Sequence, residues 1–318
     1  MFDILGKPAR WNQIFGHPEQ PMIKESIGKI SDRLYAIGNP GLPAFLLLGK
    51  IPVLFEAGMT FMGPAYLKQL KTYLGDAGHL RYLLLTHSHY DHCGAAPFLQ
   101  RSIPGLKIGA SMLAAEVFKR PNAIRLIQSL SRDPEERFKP LMGDADVTFH
   151  SLEIDLLLAD GDELVLGDGD RVQVIATPGH TRDAVSFYIR GMKALIPGEA
   201  VGAYDRNFSI QPEFLSSYDD YRASLEKLAA LDIQILLMAH SYVLTGEEAR
   251  GYVAKSMEAT SQFKKRIETL LDMMAGDQEA VVKRIFQEDY EDTQAIPQDE
   301  MPFLINLKAK VKAVAERK

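Results

Sequence analysis

Cysteine occurs once in the 318 residues, as Cys93, so no disulfide framework exists and the chain fits a reducing compartment. Positive charge is in deficit: 36 Lys and Arg face 42 Asp and Glu, for a net charge of -6. A nucleic-acid binder would show a basic face instead. No uninterrupted apolar segment approaches the ~20 residues of a membrane span. The opening stretch MFDILGKPARWNQIFGHPEQ lacks the charged start and long apolar core of a signal peptide. There is no internal repeat, no G-x-S-x-G elbow, no Walker-type phosphate loop and no Rossmann glycine fingerprint after a strand. These absences point to a cytoplasmic enzyme with neither nucleic acid nor membrane as partner. With 46% hydrophobic and 25% charged residues, the chain has the material for a large core.

Residues 22 to 56 read as short strands punctuated by glycine and proline (MIKESIGKI, DRLYAIG, AFLLLG, IPVLFEAG). GPAYLKQLKTYLGDAG carries Tyr66, Leu67, Leu70, Tyr73 and Leu74 at helical spacing and ends on glycine. RYLLLT is a buried strand, GAAPFLQ starts a helix, and residues 110 to 145 are helical and irregular. Strand patterns resume in ELVLGDGDRVQVIATPGHT, AVSFYIR and KALIPGEA, and the helix SSYDDYRASLEKLAAL leads into the strand IQILLMAH. Two strand-rich stretches alternating with helices predict two packed β-sheets with helices outside, a four-layer α/β sandwich over residues 1–245. Residues 246–318 read as a C-terminal extension of three helices, at 246–275, 278–289 and 299–316.

Chemistry concentrates in LLLTHSHYDHCG, residues 83 to 94. His87 and His89 alternate in an extended segment, so their rings face one way and can converge on one ion. Asp91 and His92 follow where the chain turns toward a helix. Imidazoles and carboxylates are the usual ligands of zinc, iron and manganese, and only a favourable ion offsets so much polarity at the end of a buried strand. Cys93 adjoins His92 at a helix start, which turns its side chain away; it reads as a small buried hydrophobe.

THSHYDHCG resembles the H-x-H-x-D-H signature of the metallo-β-lactamase superfamily, and the rest of that family's pattern follows in order. LFEAG places Glu56 at the family's early acidic position, TPGHT supplies His180, IPGEA places Glu199 at the bridging carboxylate, and LLMAHS ends on His240. The resemblance spans residues 22 to 245. It implies the αββα sandwich and two divalent ions, zinc, iron or manganese: one on His87, His89 and His180, a second on Asp91, His92 and His240, with Glu199 between them. Both acidic positions depart from the family's usual aspartate, which leaves occupancy of the second site open. Asp183 is a candidate to support a ligand histidine or touch substrate, and Tyr204 to line the pocket. His17, His79 and His150 fall outside the pattern.

Such a centre lowers the pKa of bound water toward 7 and polarises a carbonyl, so metal-activated hydrolysis is the expected chemistry, with Asp91 handling the proton. The helical tail and the TH-HYDHCG cluster are most similar to the glyoxalase II-like and quorum-sensing-response (PqsE-like) thioesterases. That similarity implies a small acyl-thioester or related ester substrate. A lactonase or phosphodiesterase is the alternative, and a poorly hydrolysing regulatory protein on the same fold is another. An oxygen- or nitric-oxide-reducing di-iron protein would need a flavodoxin pattern after residue 245, which is lacking. Met257, Phe263, Met273, Met274, Phe286 and Tyr290 are candidates to line an acyl tunnel or to pack the tail, and a homodimer through the tail is compatible with the sequence.

Overall fold

In the strand Leu42–Leu47, Ala44 and Leu46 join one apolar cluster and Phe45 and Leu47 another, and all four are buried. Side chains alternate along a strand, so a strand buried on both faces sits inside a multilayer structure. The computed structural model describes residues 23–25, 27–167 and 169–316, which leaves His17 outside. Its first sheet has seven strands in chain order: Gly28–Lys29, Leu34–Asn39, Leu42–Leu47, Val53–Phe55, Tyr82–Leu84, Lys107–Ser111 and Leu156–Leu158. The early members pair antiparallel through tight turns. From Val53–Phe55 onward the pairs are parallel. Parallel neighbours need crossovers, and the helices Gly63–Leu74, Ala96–Ser102 and Pro121–Arg137 lie in those connections.

The second sheet also has seven strands, ordered Ile23–Glu25, Tyr242–Thr245, Ile235–Leu237, Ala194–Ile196, Val185–Ile189, Arg171–Ala176 and Glu163–Val165. Between the sheets lies one core that includes Phe45, Phe55, Phe187 and Ile196, with Phe55 and Phe187 rings 5.4 Å apart. Outside the first sheet a second core joins Tyr66, Leu70, Leu99 and Phe118. Outside the second sheet a third joins Tyr221 and Leu225 of helix Tyr218–Ala229 to the tail. Helix, sheet, sheet and helix therefore form four layers with an apolar seam at each junction.

The tail begins with the 28-residue helix Gly246–Met273, continues through Gln278–Phe286 and a π-helical turn Gln287–Glu291, and ends with Glu300–Ala315. Ala249, Tyr252, Val253, Ser256 and Thr260 give the first helix a buried stripe at i, i+3, i+4 spacing. The tail shares its core with the back of the second sheet.

Two details differ from the expectation. MIKESIGKI is divided: Ile23–Glu25 pairs with Tyr242–Thr245 in the second sheet, and Gly28–Lys29 pairs with Tyr35 and Ala36 in the first. Leu156–Leu158 and Tyr242–Thr245 are strands to which the sequence reading assigns nothing. Three or four residues are too few to show a period, and only the neighbouring strand identifies them.

Candidate metal centre

The first sheet delivers His87, His89, Asp91 and His92 from one connection. After strand Tyr82–Leu84 the chain stays extended to His89 (φ -69°, ψ 147°), which caps the one-turn helix Tyr90–Cys93. The extended segment aims the first two imidazoles together, and the helical turn brings round Asp91 and His92. The second sheet delivers His180, Glu199 and His240 just beyond strands Arg171–Ala176, Ala194–Ile196 and Ile235–Leu237. Two of these turns depend on glycine. Gly179 has φ 131°, and a Cβ there would lie 2.3 Å from the backbone of Tyr221. Gly198 has φ 57°, and a Cβ there would meet Thr86 Oγ1 at 2.8 Å.

Donor atoms of the seven residues gather into two groups, each with its atoms within 4.8 Å of one another: His87, His89, His180 and Glu199, and beside them Asp91, His92 and His240. Glu199 spans both. Its Oε2 is 2.5 Å from His180 Nε2, 3.4 Å from His87 Nε2 and 3.8 Å from His92 Nε2, while Oε1 is 3.0 Å from His240 Nε2. Asp91 Oδ2 is 3.8 Å from His92 Nε2. His89 presents Nδ1, 3.0 Å from His180 Nε2. His87 and His92 are buried, whereas the side chains of His89 and His240 are 37% and 26% exposed and form the rim.

Four imidazoles are held from behind. Nδ1 of His180 donates to the Glu213 carbonyl (2.7 Å) and that of His240 to the Gly41 carbonyl (3.1 Å). Nδ1 of His92 donates to Glu56 Oε2 (3.0 Å), and that of His87 lies 2.9 Å from Thr86 Oγ1. Such partners fix ring orientation and leave Nε2 facing inward, as a metal ligand requires.

The donor set fits divalent ions. Nε2 of His87 and of His92 are buried with no hydrogen-bond partner, an expensive state that a cation relieves. Without an ion the cluster is balanced by protons. Burial opposes a charge on His92, but Asp91, Glu56 and Glu199 outweigh it and push its pKa up to about 10. Burial likewise opposes charge on His180 and His240, and Glu199 raises both. Burial and the neighbouring His92 drive His87 well below the usual histidine range. Glu199 is held well below the carboxylate range, its burial overridden by His180, His240 and His87. Divalent cations can take over the positive charge that these protons supply.

The other candidates are placed as follows. Glu56 is buried, has a left-handed backbone (φ 69°) and touches the cluster only through His92. Asp183 acts on the ligand loop and not on a ring: its Oδ2 accepts from the backbone N–H of Ser88, which lies between His87 and His89 (2.8 Å). Asp183 is buried. The Tyr204 hydroxyl donates to Glu248 Oε1 (2.5 Å) and its ring packs on Tyr252 and Phe208. Cys93 packs in the core outside the first sheet, its Sγ 3.6 Å from the Ser88 carbonyl oxygen. His79 bonds the Leu74 carbonyl and His150 pairs with Asp146, both on the exposed surface.

Of the six tail residues proposed to line a tunnel, Phe263 borders a cavity of about 370 Å³, together with Ile210, Pro212 and Arg266. Met273 is exposed, and Met257, Met274, Phe286 and Tyr290 pack against the tail core. Thr86, Gly41 and Glu213 were missed. Thr86 adjoins the histidine motif and is legible from it, but Gly41 and Glu213 act through backbone carbonyls, which leave no mark on residue identity.

Residues 44–240 match the family model described as the metallo-beta-lactamase superfamily. The chain is similar to a "Beta-lactamase-like protein 2 homolog" of Caenorhabditis elegans, 26% identical over 69% of this chain and 65% of that one. It is also similar to a "Hydroxyacylglutathione hydrolase" of Acidiphilium cryptum, 30% identical over 55% of this chain and 56% of that one. The match thus spans just under two thirds of the first relative's length and little over half of the second's. A solved metallo-β-lactamase family protein from Thermus thermophilus superposes with a TM-score of 0.62 at 19% identity, covering 90% of this chain and 92% of that one, and so shares the fold. Among the described residues no helix is long and apolar enough to cross a membrane. With the family model spanning more than half of the chain and the two donor groups gathered at one edge of the sandwich, this protein belongs to the metallo-β-lactamase superfamily.

Proposed function

We propose that this protein is a two-metal hydrolase of small acyl thioesters or related esters. The observation that carries the reading is the reach of Glu199, one carboxylate with an oxygen toward each donor group. His87, His89, His180 and Glu199 would hold one ion, and Asp91, His92 and His240, with the other oxygen of Glu199, the second. Bound divalent ions lower the pKa of water from about 15.7 toward 7 and act as Lewis acids on a carbonyl oxygen.

The chain's own residues do the remainder. Glu213, Gly41, Glu56 and Thr86 hold four imidazoles in register, which keeps the donor atoms preorganised. Asp91, with a side chain 16% exposed beside His92, is the group placed to take and return the proton of the attacking water. His89 and His240, the partly exposed pair, mark the side from which the acyl group enters. No serine or cysteine nucleophile is required, and Cys93 is sealed in the core.

The ester class draws support from the relatives named hydroxyacylglutathione hydrolase, from Acidiphilium cryptum and others. Purified protein loaded with zinc, manganese or iron should turn over an acyl-thioester panel ahead of lactones and phosphodiesters. Preference for a lactone or phosphodiester would replace the substrate class. Binding of two ions without turnover of any of them would favour a regulatory protein. His89→Ala combined with Asp91→Ala should abolish turnover, and unchanged rates would end the metal-hydrolase mechanism.

A further inference from the structure

A core position of the last helix is occupied by a charge. In Glu300–Ala315, the residues Phe303, Leu307, Lys310, Val311 and Val314 form one buried stripe, and Lys310 is only 3% exposed. A lone ammonium there would cost several kcal/mol. Lys310 Nζ instead donates to Glu213 Oε1 at 2.9 Å and stands 5.9 Å from the centre of the Phe263 ring. The side chain of Glu213 is itself only 13% exposed.

Glu213 is also the residue whose carbonyl accepts from His180 Nδ1 at 2.7 Å. Its N–H donates to the Tyr221 hydroxyl (3.4 Å), which in turn donates to the Glu199 carbonyl (3.3 Å). One residue therefore carries the tail's charge on its side chain and a ligand imidazole on its backbone. An apolar pair of the same volume would hold two surfaces together at no electrostatic cost. A directional ion pair does something more, because it fixes the Glu213 side chain and limits rotation of the peptide that carries the carbonyl.

We propose that Lys310 is a positioning residue: through Glu213 it sets the orientation of His180, so the last helix of the tail governs metal affinity at the first donor group. This rests on the reading of His180 as a metal ligand.

The test is a cobalt(II) titration of the full chain, followed by the ligand-field absorption band, with thermal melting of the metal-free protein beside it. Cobalt binding by the unaltered chain tests the ligand reading; its absence would end that reading and the proposal together. Given binding, Lys310→Met should lose roughly 10- to 100-fold in affinity for the first ion and shift the band, as loss of an outer partner does. Lys310→Arg, which restores the cation, should recover most of both. Wild-type affinity and band in Lys310→Met, whatever its melting temperature, would overturn the proposal and leave a merely structural ion pair. If Lys310→Met does not fold, Glu213→Gln keeps the carbonyl and the side-chain shape while removing the charge, and the same two readings decide.

Discussion

Glu56 stands directly behind His92, its Oε2 3.0 Å from the ring Nδ1, on a backbone bent into the left-handed region at φ 69°. A non-glycine residue in that region is strained, and strain of this kind persists where the surroundings over-determine it. Here the Glu56 N–H donates to the Leu84 carbonyl and the Ala57 N–H to the His92 carbonyl. Glu56→Ala should lower affinity for the second ion by roughly 10- to 100-fold while sparing the first. Metal content after dialysis at graded chelator concentrations measures this, and equal loss of both ions would refute the assignment.

Metal uptake should release protons. In the metal-free protein His92 has a pKa near 10, above its unfolded value of about 6.5. Its protonated form thus stabilises the fold fully below about pH 6.5, and that contribution is lost as pH climbs through about 10. Metal affinity runs the other way over the same window, because only the neutral ring binds. Zinc added at pH 7.5 in weak buffer should acidify the solution, and the melting temperature of metal-free protein should fall between pH 7 and 10. An uptake that leaves pH unmoved would contradict the proton-balanced cluster.

If two ions bind as proposed, Glu199→Ala should leave one of them, since His240 and His180 lose the carboxylate that reaches both. Turnover should drop by at least the roughly 10- to 100-fold typical of an outer partner. Elemental analysis gives the stoichiometry. Two retained ions would show that the groups stand independently.

Gly179→Ala should destabilise the protein by about 3 kcal/mol or more, because the new methyl group meets the Tyr221 backbone at 2.3 Å. The urea midpoint reports this, and metal binding should fail alongside it, since His180 is the next residue. A midpoint equal to that of the unaltered chain would mean that the turn is free to relax.

Cys93→Ala should leave metal content untouched and cost about 1 kcal/mol, the scale of one buried methylene-sized group. Loss of an ion in this variant would return the sulfur to the ligand set.

Much of this was legible in the residues, for physical reasons. His87 and His89 announce themselves because an extended strand has period 2; His180, Glu199 and His240 were found through the family resemblance, with their places after strands in support. Glu199 could be placed in the bridging position, but whether its extra methylene would still span both groups could not be read from identity, since reach is a matter of where Gly198 points it. Glu213 and Gly41 act through carbonyls that every residue carries. Lys310 was hidden in a helix whose polar and apolar positions look ordinary until the fold shows which stripe is inside. Tyr204 and Asp183 were candidates by proximity in sequence alone, which does not give their partners: tertiary packing joins one to Glu248 and the other to the Ser88 backbone inside the histidine loop.

The seven donors arrive from opposite halves of the sandwich: four beyond Tyr82–Leu84 in the first sheet, three beyond strands of the second. Ions held among them would rivet one sheet to the other. The halves must close before a complete site exists, so ion binding selects the closed chain and withdraws it from the unfolded pool. At an ion concentration 100 times Kd that linkage contributes about 2.7 kcal/mol, and stripping the ions would lower resistance to heat and proteases across both sheets, far from the edge where the histidines meet.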